Sequence, residues 1–558
     1  MENRHSPFIH YLVEGQWKPS TWGEVEGQVN SLASLLAAKG AVKGAWVLII
    51  AENSKDWIVA ELAVLSLGAS LVTAYTSSSA QEWEHILKDS GASVLIADNP
   101  ILVKLKPVLE ILNGQIDFSL GIGSHEWKSL MENPSPLRPR KESSADDLDE
   151  TVCIIYTSGT GGAARGVELS NRNILNNCLG AANIIKPYGL ESHRFLSILP
   201  FAHAYAHSAD IWTPIYVNAQ IYISNDIKYL NQQLQFAKPT IMNTIPRLWD
   251  VLKKQINAGI AGKGFISRKL FGLTLHLGQE KIMGLRLGPI RQVLNRLCDR
   301  LVRSQIKAKL GGHLVGAVVA GSPLSENTAS FFGALGINLH QAYGQTECGP
   351  GITMLEADNI IPGSVGRPLK GMEIRLAEDG EILVRGPNVM KGYWKAPDLT
   401  AKVIQDGWLH TGDIGKWSEG GFLKVLDRKK DFIKTSGSEM ISPQYIEQKI
   451  NAHPDIEHAI VFGHGKPFLV AVIFLSTEYL SKIENKSQSL DPLSDKIERH
   501  IKQINISLDA KSRVKKFLII DQALTIADGT LTPSLKVKRD YVYQTYMNKI
   551  EKLFHEDA

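Results

Sequence analysis

The chain predicts an α/β protein: a large N-terminal region of two layered α/β subdomains, a small β-barrel, and a smaller α+β C-terminal domain. Three observations predict it. Over the first hundred residues, apolar runs of strand length alternate with segments whose apolar residues recur at helical spacing, the pattern of layered sheets with largely parallel strands. The alternation resumes from Thr151 to about Tyr343. After Gly363 it gives way to short strands separated by turn residues. The length of 558 residues suggests two to four domains, at roughly 150 residues each.

Thr21 and Glu24 form a capping-box pattern before Val25, Val29, Leu32 and Leu36, which recur on one helical face until Gly40 stops the helix. WVLIIA, Trp46 to Ala51, reads as a buried strand. Asp56 to Leu67 reads as a helix, and Leu71 to Tyr75 and Val94 to Ala97 as strands. Asp117 to Asp149 is mostly polar, turns Pro-containing, and reads as a surface connection. A long, basic, mostly helical stretch without β signal lies between Ile256 and Leu310. MEIRLAEDGEILVRG and GFLKVLDRKKDFIKTSG read as barrel or sandwich strands. Beyond Lys430, a helix is expected at Gln444–Ile450 and strands at His458–Phe462, Leu469–Leu475 and Phe517–Ile520.

Composition excludes several classes. Hydrophobic residues make up 44% and charged residues 21% of the chain, the balance of a globular protein with ample core. A formal net charge of +4 is too small on this length to argue for nucleic acid. The four cysteines (Cys153, Cys178, Cys298 and Cys348) form no C-x-x-C pair and read as reduced thiols of a cytoplasmic protein. The N-terminus carries no signal pattern, and no apolar run reaches the ~18–20 residues that span a bilayer. Peripheral association with a membrane is compatible with all of this.

Five stretches carry candidate chemistry. In YTSGTGGAARGVELS, Tyr156 to Ser170, ten residues are Gly, Ser, Thr or Ala. Between two β-like runs, such a loop can turn backbone N–H groups and hydroxyls onto a phosphate, though a flexible turn uses the same residues. It is not a G-x-x-x-x-G-K-[ST] loop. Tyr343-Gly344-Gln345-Thr346-Glu347 follows a strand-like approach; its Thr-Glu pair suits Mg²⁺ and a phosphate oxygen, or a helix start. Asp413, after Thr411-Gly412, could accept both hydroxyls of a ribose or make an Asx turn. Asp427 to Asp431 is either a solvated charge cluster or a linker that changes its dihedrals. Thr532 to Arg539 is basic: exposed lysines, or a lysine carried into an anionic site.

Together, in this order and at these separations, the five resemble the adenylate-forming (AMP-binding) superfamily, and the resemblance covers essentially the whole chain. AENSKDW, LPFAHAYAH, IPRLWD, VVAGSPLS, GSVGRP and LTPSLKVKR are similar to its long-chain fatty acyl-CoA synthetase branch. The resemblance implies a two-step ligation. A carboxylate attacks the α-phosphate of ATP to give acyl-AMP and pyrophosphate, and the thiol of coenzyme A then displaces AMP. Positioning and charge neutralisation would carry the first step. Residue by residue, it implies that Thr157, Ser158, Gly159, Thr160, Gly161, Gly162, Arg165 and Gly166 hold the β- and γ-phosphates. Thr346 would contact the α-phosphate, and Glu347, with Thr160, would hold Mg²⁺. Gly321, Ser322, Pro323, Tyr343 and Gly344 would frame the adenine. Asp413 would bind the ribose, with Arg428 close by, and Lys536 would bridge the carboxylate and the α-phosphate. His203 and Trp249 fall in the acyl-substrate motifs. Lys430 matches a hinge between an N-terminal domain, 1–429, and a mobile C-terminal domain, 430–558, whose Gly437 segment would line the path of coenzyme A.

Two departures stand out. Ala164-Arg165 replaces the usual Pro-Lys: arginine keeps the charge and adds a phosphate-matching fork, while loss of proline raises the cost of ordering the loop by roughly 0.4–1 kcal/mol. Ala206-His207 stands where that branch often has Glu-Arg, which leaves chain-length preference open. No Phe-Asp pattern follows Leu199-Pro200, which argues against an amino-acid substrate and for a medium-to-long fatty acid, since an apolar tunnel gains about 0.8 kcal/mol per buried CH₂. The alternatives are a fatty acyl-AMP ligase that loads an acyl carrier protein, and a nucleotide-binding protein without catalysis.

Overall fold

The computed structural model describes residues 4–112, 114–134, 145–157, 164–189, 192–224, 226–357, 361–436, 440–476, 479–481, 491–525, 528–532 and 536–555. They fall into two compact units: 1–374 with 384–410 and 418–423, and 375–383 with 411–417 and 424–558.

The first unit contains two large sheets among the described residues. In one, Thr151–Thr157, Ser70–Thr73, Trp46–Ile50, Val94–Asp98 and Phe118–Ile122 run parallel as neighbours, and the hairpin partner Arg165–Ser170 and the short strand Gly392–Tyr393 extend one edge antiparallel. Trp46–Ile50 is covered on both faces, so it reads as an unbroken apolar run and not as alternation, and Ser70–Thr73 beside it is buried throughout. In the other, Asn338–Gly344, Gly316–Val319, Ile241–Thr244, Arg194–Ser197, Gln220–Ile223 and Pro7–Val13 are parallel neighbours. The capping box at Thr21 forms as expected, with Glu24 Oε2 accepting from the Thr21 N–H at 2.9 Å, and it opens the helix Trp22–Ala38.

Two local expectations change, and the N-terminal residues gain an element that the sequence did not suggest. The polar stretch after Asp117 is not only a connection: Phe118–Ile122 is a sheet-edge strand and His125–Glu132 a helix whose Trp127 is buried. The N-terminal residues form a hairpin, Pro7–Val13 with Gln16–Thr21, that joins the second large sheet. The small barrel is an open, five-stranded half-barrel, Glu373–Leu376, Glu381–Arg385, Trp408–Ser418 and Ile404–Gln405, with Phe422–Arg428 also on Trp408–Ser418; the segments where the chain divides into units lie in it.

The basic stretch is mostly helical, as expected, in Pro246–Ala261, Phe265–Ile282, Pro289–Cys298 and Ser304–Lys309. The buried Arg303 pins it. Its Nε donates to the Ala334 carbonyl at 2.8 Å and Nη2 to that of Thr274 at 2.9 Å, and Nη1 donates to Asn295 Oδ1 at 2.9 Å and Asp299 Oδ1 at 2.7 Å. Arg303→Met would strand these acceptors, and it is expected to lower stability by about 3 kcal/mol, read from the urea midpoint.

In the second unit, Ile456–Phe462, Leu469–Leu475 and Val514–Ile520 form a three-stranded sheet. The odd-numbered residues of LVAVIFL pack with Ile446 and Ile450 of one helix and Leu493 and Ile497 of another, and the even-numbered ones with Val542 and Ile550 of the C-terminal helix. Both faces are therefore buried and the strand is apolar throughout. Among the described residues no helix is long and apolar enough to cross a membrane.

Candidate functional site

In the first unit the glycine- and hydroxyl-rich stretch is flanked by two strands that pair antiparallel as a hairpin, Thr157 opposite Arg165. Ser158, Gly159, Thr160, Gly161 and Gly162 lie outside the described residues. The hairpin base is fastened: the Tyr156 hydroxyl donates to Asp89 Oδ2 at 2.6 Å, and His85 Nε2 lies 2.8 Å from the Ala164 carbonyl oxygen. Gly392 and Tyr393 pair with Glu168 and Val167 beside Gly166. That pairing sets the Tyr393 ring 5.9 Å from the Arg165 guanidinium and lets its hydroxyl donate to Glu347 Oε1 at 2.8 Å. Burial first, then the Glu347 charge, raises the Tyr393 hydroxyl well above the ordinary phenol range, with Arg165 working against them, so it remains a donor.

Three residues far apart in sequence (Arg165, Glu347 and Tyr393) thus meet. Sequence reasoning named the first two and missed the third, whose one signal is the Gly392-Tyr393-Trp394 run. It also missed an asparagine network that holds the Glu347 segment. Asn177 Oδ1 accepts from the Gly351 N–H at 2.8 Å, and Asn388 Nδ2 donates to the Gly351 carbonyl at 2.7 Å. Asn173 Nδ2 donates to the carbonyls of Pro387 and Val389, and the Met390 N–H bonds to the Glu347 carbonyl. Thr346 and Glu347 lie in the short turn Thr346–Cys348. Gly344 is fixed by contact: a Cβ there would fall on the Pro350 carbonyl.

The ends of the parallel strands gather the remaining motifs of this unit. Gly316–Val319 and Asn338–Gly344 are parallel neighbours, so Gly321, Ser322 and Pro323 follow one strand where Tyr343 ends the next, the edge at which open α/β sheets take ligands. LPFAHAYAH starts beyond Arg194–Ser197 in the same sheet. Asn53 of AENSKDW binds it, donating to the Leu199 carbonyl at 2.7 Å and accepting from the Phe201 N–H at 2.8 Å. His203 Nδ1 accepts from the Tyr205 N–H as the cap of a short helix. Trp249 is buried: 1% exposed, its ring edge-on to Phe332, its Nε1 donating to Thr244 Oγ1 at 2.8 Å.

The departure at Ala206-His207 opens a π-helical turn, His207–Trp212, a form common at functional sites. Buried His207 lies 3.2 Å from Glu61. Burial opposes its charge, but Glu61 and Cys153 overcome that and raise it well above an ordinary histidine. Asp210, in the same turn, is wholly buried; Oδ1 accepts from Asn243 Nδ2 at 2.7 Å and Oδ2 has no hydrogen-bond partner among the described residues. Burial pushes its carboxyl up to about 8, against the Asn243 bond. An unfolded aspartate titrates near about 3.9. The folded chain therefore keeps a proton that the unfolded chain releases, so this group's contribution to stability falls as pH rises from about 4 to about 8 and levels off above. Asp210→Asn is accordingly expected to gain on its parent by about 2–3 kcal/mol between about pH 5 and about pH 7, as urea unfolding at both would measure.

In the second unit, Asp413 is not in a simple turn. It lies within the strand Trp408–Ser418, just after Gly412 at φ +68°, whose N–H donates to Glu381 Oε1. Asp413 is nearly buried and forms an ion pair with Arg428 at 2.8 Å, which brings these two predicted residues together. Lys430 sits in the turn Lys429–Asp431 that follows, and Gly437 lies outside the described residues. Lys536 is exposed and its backbone is tied to Thr532: its N–H donates to Thr532 Oγ1 at 3.0 Å, and its carbonyl accepts from the Thr532 N–H at 2.8 Å. Among the described residues no three His, Cys, Asp or Glu side chains converge as a metal site.

Comparison with known proteins agrees in extent with these motifs. The AMP-binding enzyme family matches residues 2–394, and the AMP-binding enzyme C-terminal domain matches 430–558. The chain is 30% identical to the long-chain-fatty-acid–CoA ligase FadD15 of Mycobacterium bovis, covering 98% of this chain and 94% of that one. It is 26% identical to the chloroplastic long-chain-fatty-acid–[acyl-carrier-protein] ligase AEE15 of Arabidopsis thaliana, over 96% and 82%. The solved anthranilate CoA ligase AuaEII, in complex with anthranoyl-AMP, shares the fold at a TM-score of 0.74 and 19% identity, over 98% and 95%.

Proposed function

This chain belongs to the AMP-binding enzyme family of adenylate-forming ligases, and we propose that it joins a medium-to-long-chain fatty acid to coenzyme A through an acyl-AMP intermediate. The observation that carries the proposal is near end-to-end similarity to long-chain-fatty-acid–CoA ligases, together with an Arg165–Tyr393–Glu347 cluster at the phosphate hairpin.

In this reading the fatty-acid carboxylate attacks the α-phosphate of ATP and pyrophosphate leaves. The thiol of coenzyme A then attacks the acyl carbonyl and AMP leaves. Thr157, Ser158, Gly159, Thr160, Gly161, Gly162, Arg165 and Gly166 hold the pyrophosphate end, Arg165 from beside Tyr393. Thr346 orients the α-phosphate. Gly321, Ser322, Pro323, Tyr343 and Gly344 frame the base. Asp413 accepts from the ribose hydroxyls, oriented by Arg428. Lys536 stabilises charge at the pentacoordinate phosphorus. The Glu347 carboxylate, a hard oxygen donor fixed by Tyr393, fits Mg²⁺, with Thr160 as a second candidate ligand; when bound, the ion would neutralise phosphate charge. Near LPFAHAYAH, His203 borders the acyl path, and the buried Trp249 backs its wall. The residues 430–558 turn about Lys430 between the half-reactions, which brings the Gly437 segment to coenzyme A.

Thioester formation assayed across acids of increasing length, with coenzyme A and separately with acyl carrier protein, tests the reading. Acid-dependent ATP–pyrophosphate exchange with a thioester only on the carrier would replace it with the carrier-loading alternative, which the similarity to a carrier-protein ligase favours as second. ATP binding without turnover on any acid would overturn both.

A further inference from the structure

The helical stretch that the nucleotide chemistry leaves unused has its apolar face outward. In Pro289–Cys298 and the turn that follows, Ile290, Val293, Leu294, Leu297 and Leu301 recur at i, i+3, i+4, i+7 and i+11, one continuous helical stripe. Such a stripe ordinarily faces a core. Here Ile290 is 79% exposed, Val293 65%, Leu297 46% and Leu301 42%. The inward face is held by other means: Cys298 is buried, and Asn295 and Asp299 bind the buried Arg303. The turns at either end of the preceding helix, Phe265–Ile282, are alike, with Ile266 81% and Met283 66% exposed. Within one helical segment the chain therefore leaves apolar side chains in water at three places, more than scattered surface residues explain.

Charge identifies the occupant. Between residues 263 and 309 there are eleven Lys and Arg against two acidic residues, a formal net charge of +9. The whole chain carries +4, so everything else sums to −5. Arg291, Arg296 and Arg300 alternate with the stripe and are exposed. A second copy of the chain would set this cationic patch against itself across a two-fold axis, like charge on like. An anionic bilayer meets both properties at once, taking the apolar side chains below the headgroups while arginines bind the phosphates. We propose that this surface docks the protein on anionic lipid membranes, with the helix Pro289–Cys298 lying in the interface. The binding does not depend on the ligase reading and is measured without activity.

The test is sedimentation of the full chain with vesicles of phosphatidylcholine alone and of equal parts phosphatidylcholine and phosphatidylglycerol. The parent is expected to bind the anionic vesicles preferentially, and the binding to weaken with salt. Ile290→Asp with Val293→Asp, and separately Arg296→Glu with Arg300→Glu, are each expected to weaken it by about tenfold or more. Ile227→Asp, an equally simple change at a 62% exposed residue elsewhere in the same unit, is expected to leave it unchanged. Circular dichroism confirms that each variant is folded. Binding that is equal for parent and stripe variants overturns the proposal. So does parent binding absent on anionic vesicles, whether the stripe variants then abolish self-association, which would assign the face to a second copy, or abolish binding of acidic acyl carrier protein, which would assign it to that partner.

Discussion

Lys536→Ala is expected to lower acid-dependent ATP–pyrophosphate exchange by about a thousandfold, while thioester formation from supplied acyl-AMP stays within about threefold of the parent. The asymmetry follows from where charge develops. In adenylation two anions, a carboxylate and a polyphosphate, approach one another, and a cation at the attacked phosphorus lowers the barrier most at the transition state. In the second half-reaction the leaving group is AMP and the nucleophile a thiol, and in the proposed reading the turning of residues 430–558 would remove the lysine. Here the Thr532 N–H bonds to the Lys536 carbonyl, the Lys536 N–H to Thr532 Oγ1, and Leu531 bridges Val537, and alanine at 536 keeps all three. The urea midpoint, read alongside, separates a loss of chemistry from a loss of fold. Equal losses in both half-reactions would count against a rotating domain, and no loss in either would remove Lys536 from the site.

Much of this was legible in the chain, and what was not has a physical reason. The elements set by local period emerged within a few residues: the capped helix Trp22–Ala38, the buried strand Trp46–Ile50 and the seven-residue run Leu469–Leu475. The hairpin Pro7–Thr21 did not, because its register depends on Gln220–Ile223, some two hundred residues away; Ile9 pairs with Ile221, and His10 Nε2 lies 3.0 Å from Gln220 Oε1. Phe118–Ile122 was obscured by the polar residues around it, being an edge strand that among the described residues pairs with one neighbour. In the first unit ordered motifs pointed to Arg165 and Glu347, and in the second to Asp413 and Arg428. What orients them is tertiary. Tyr393 and the asparagines at 173, 177 and 388 have no spacing that betrays them, since each bonds to backbone or side chains brought in by the fold. Residues that bind are visible as types in order; residues that position the binders become visible only once the strands are paired.

That distinction can be measured at Glu347. Glu347→Ala is expected to lower adenylation by between about a hundredfold and a thousandfold, about 3–4 kcal/mol. Tyr393→Phe removes one hydroxyl and nothing of the scaffold: the backbone pairing of Tyr393 with Val167 and the bond from its N–H to Thr400 Oγ1 at 2.9 Å remain. Its expected cost is about tenfold, the loss of one charge-assisted hydrogen bond. It should appear as a higher Mg²⁺ concentration for half-maximal rate, because the carboxylate is no longer held in one orientation. If the tyrosine acts only through the glutamate, the two changes cannot add, and the double variant should be no slower than Glu347→Ala alone. Additive losses would give Tyr393 a contact of its own with the phosphates. A Tyr393→Phe variant with an unchanged Mg²⁺ dependence would mean that the 2.8 Å bond serves packing, and that the asparagine network alone suffices to aim Glu347. The hydroxyl and the carboxylate together sit between the hairpin that Arg165 opens and the segment that Gly344 and Gly351 fix, so a change in Mg²⁺ demand at Tyr393 would tie two distant stretches of the sequence into one phosphate site.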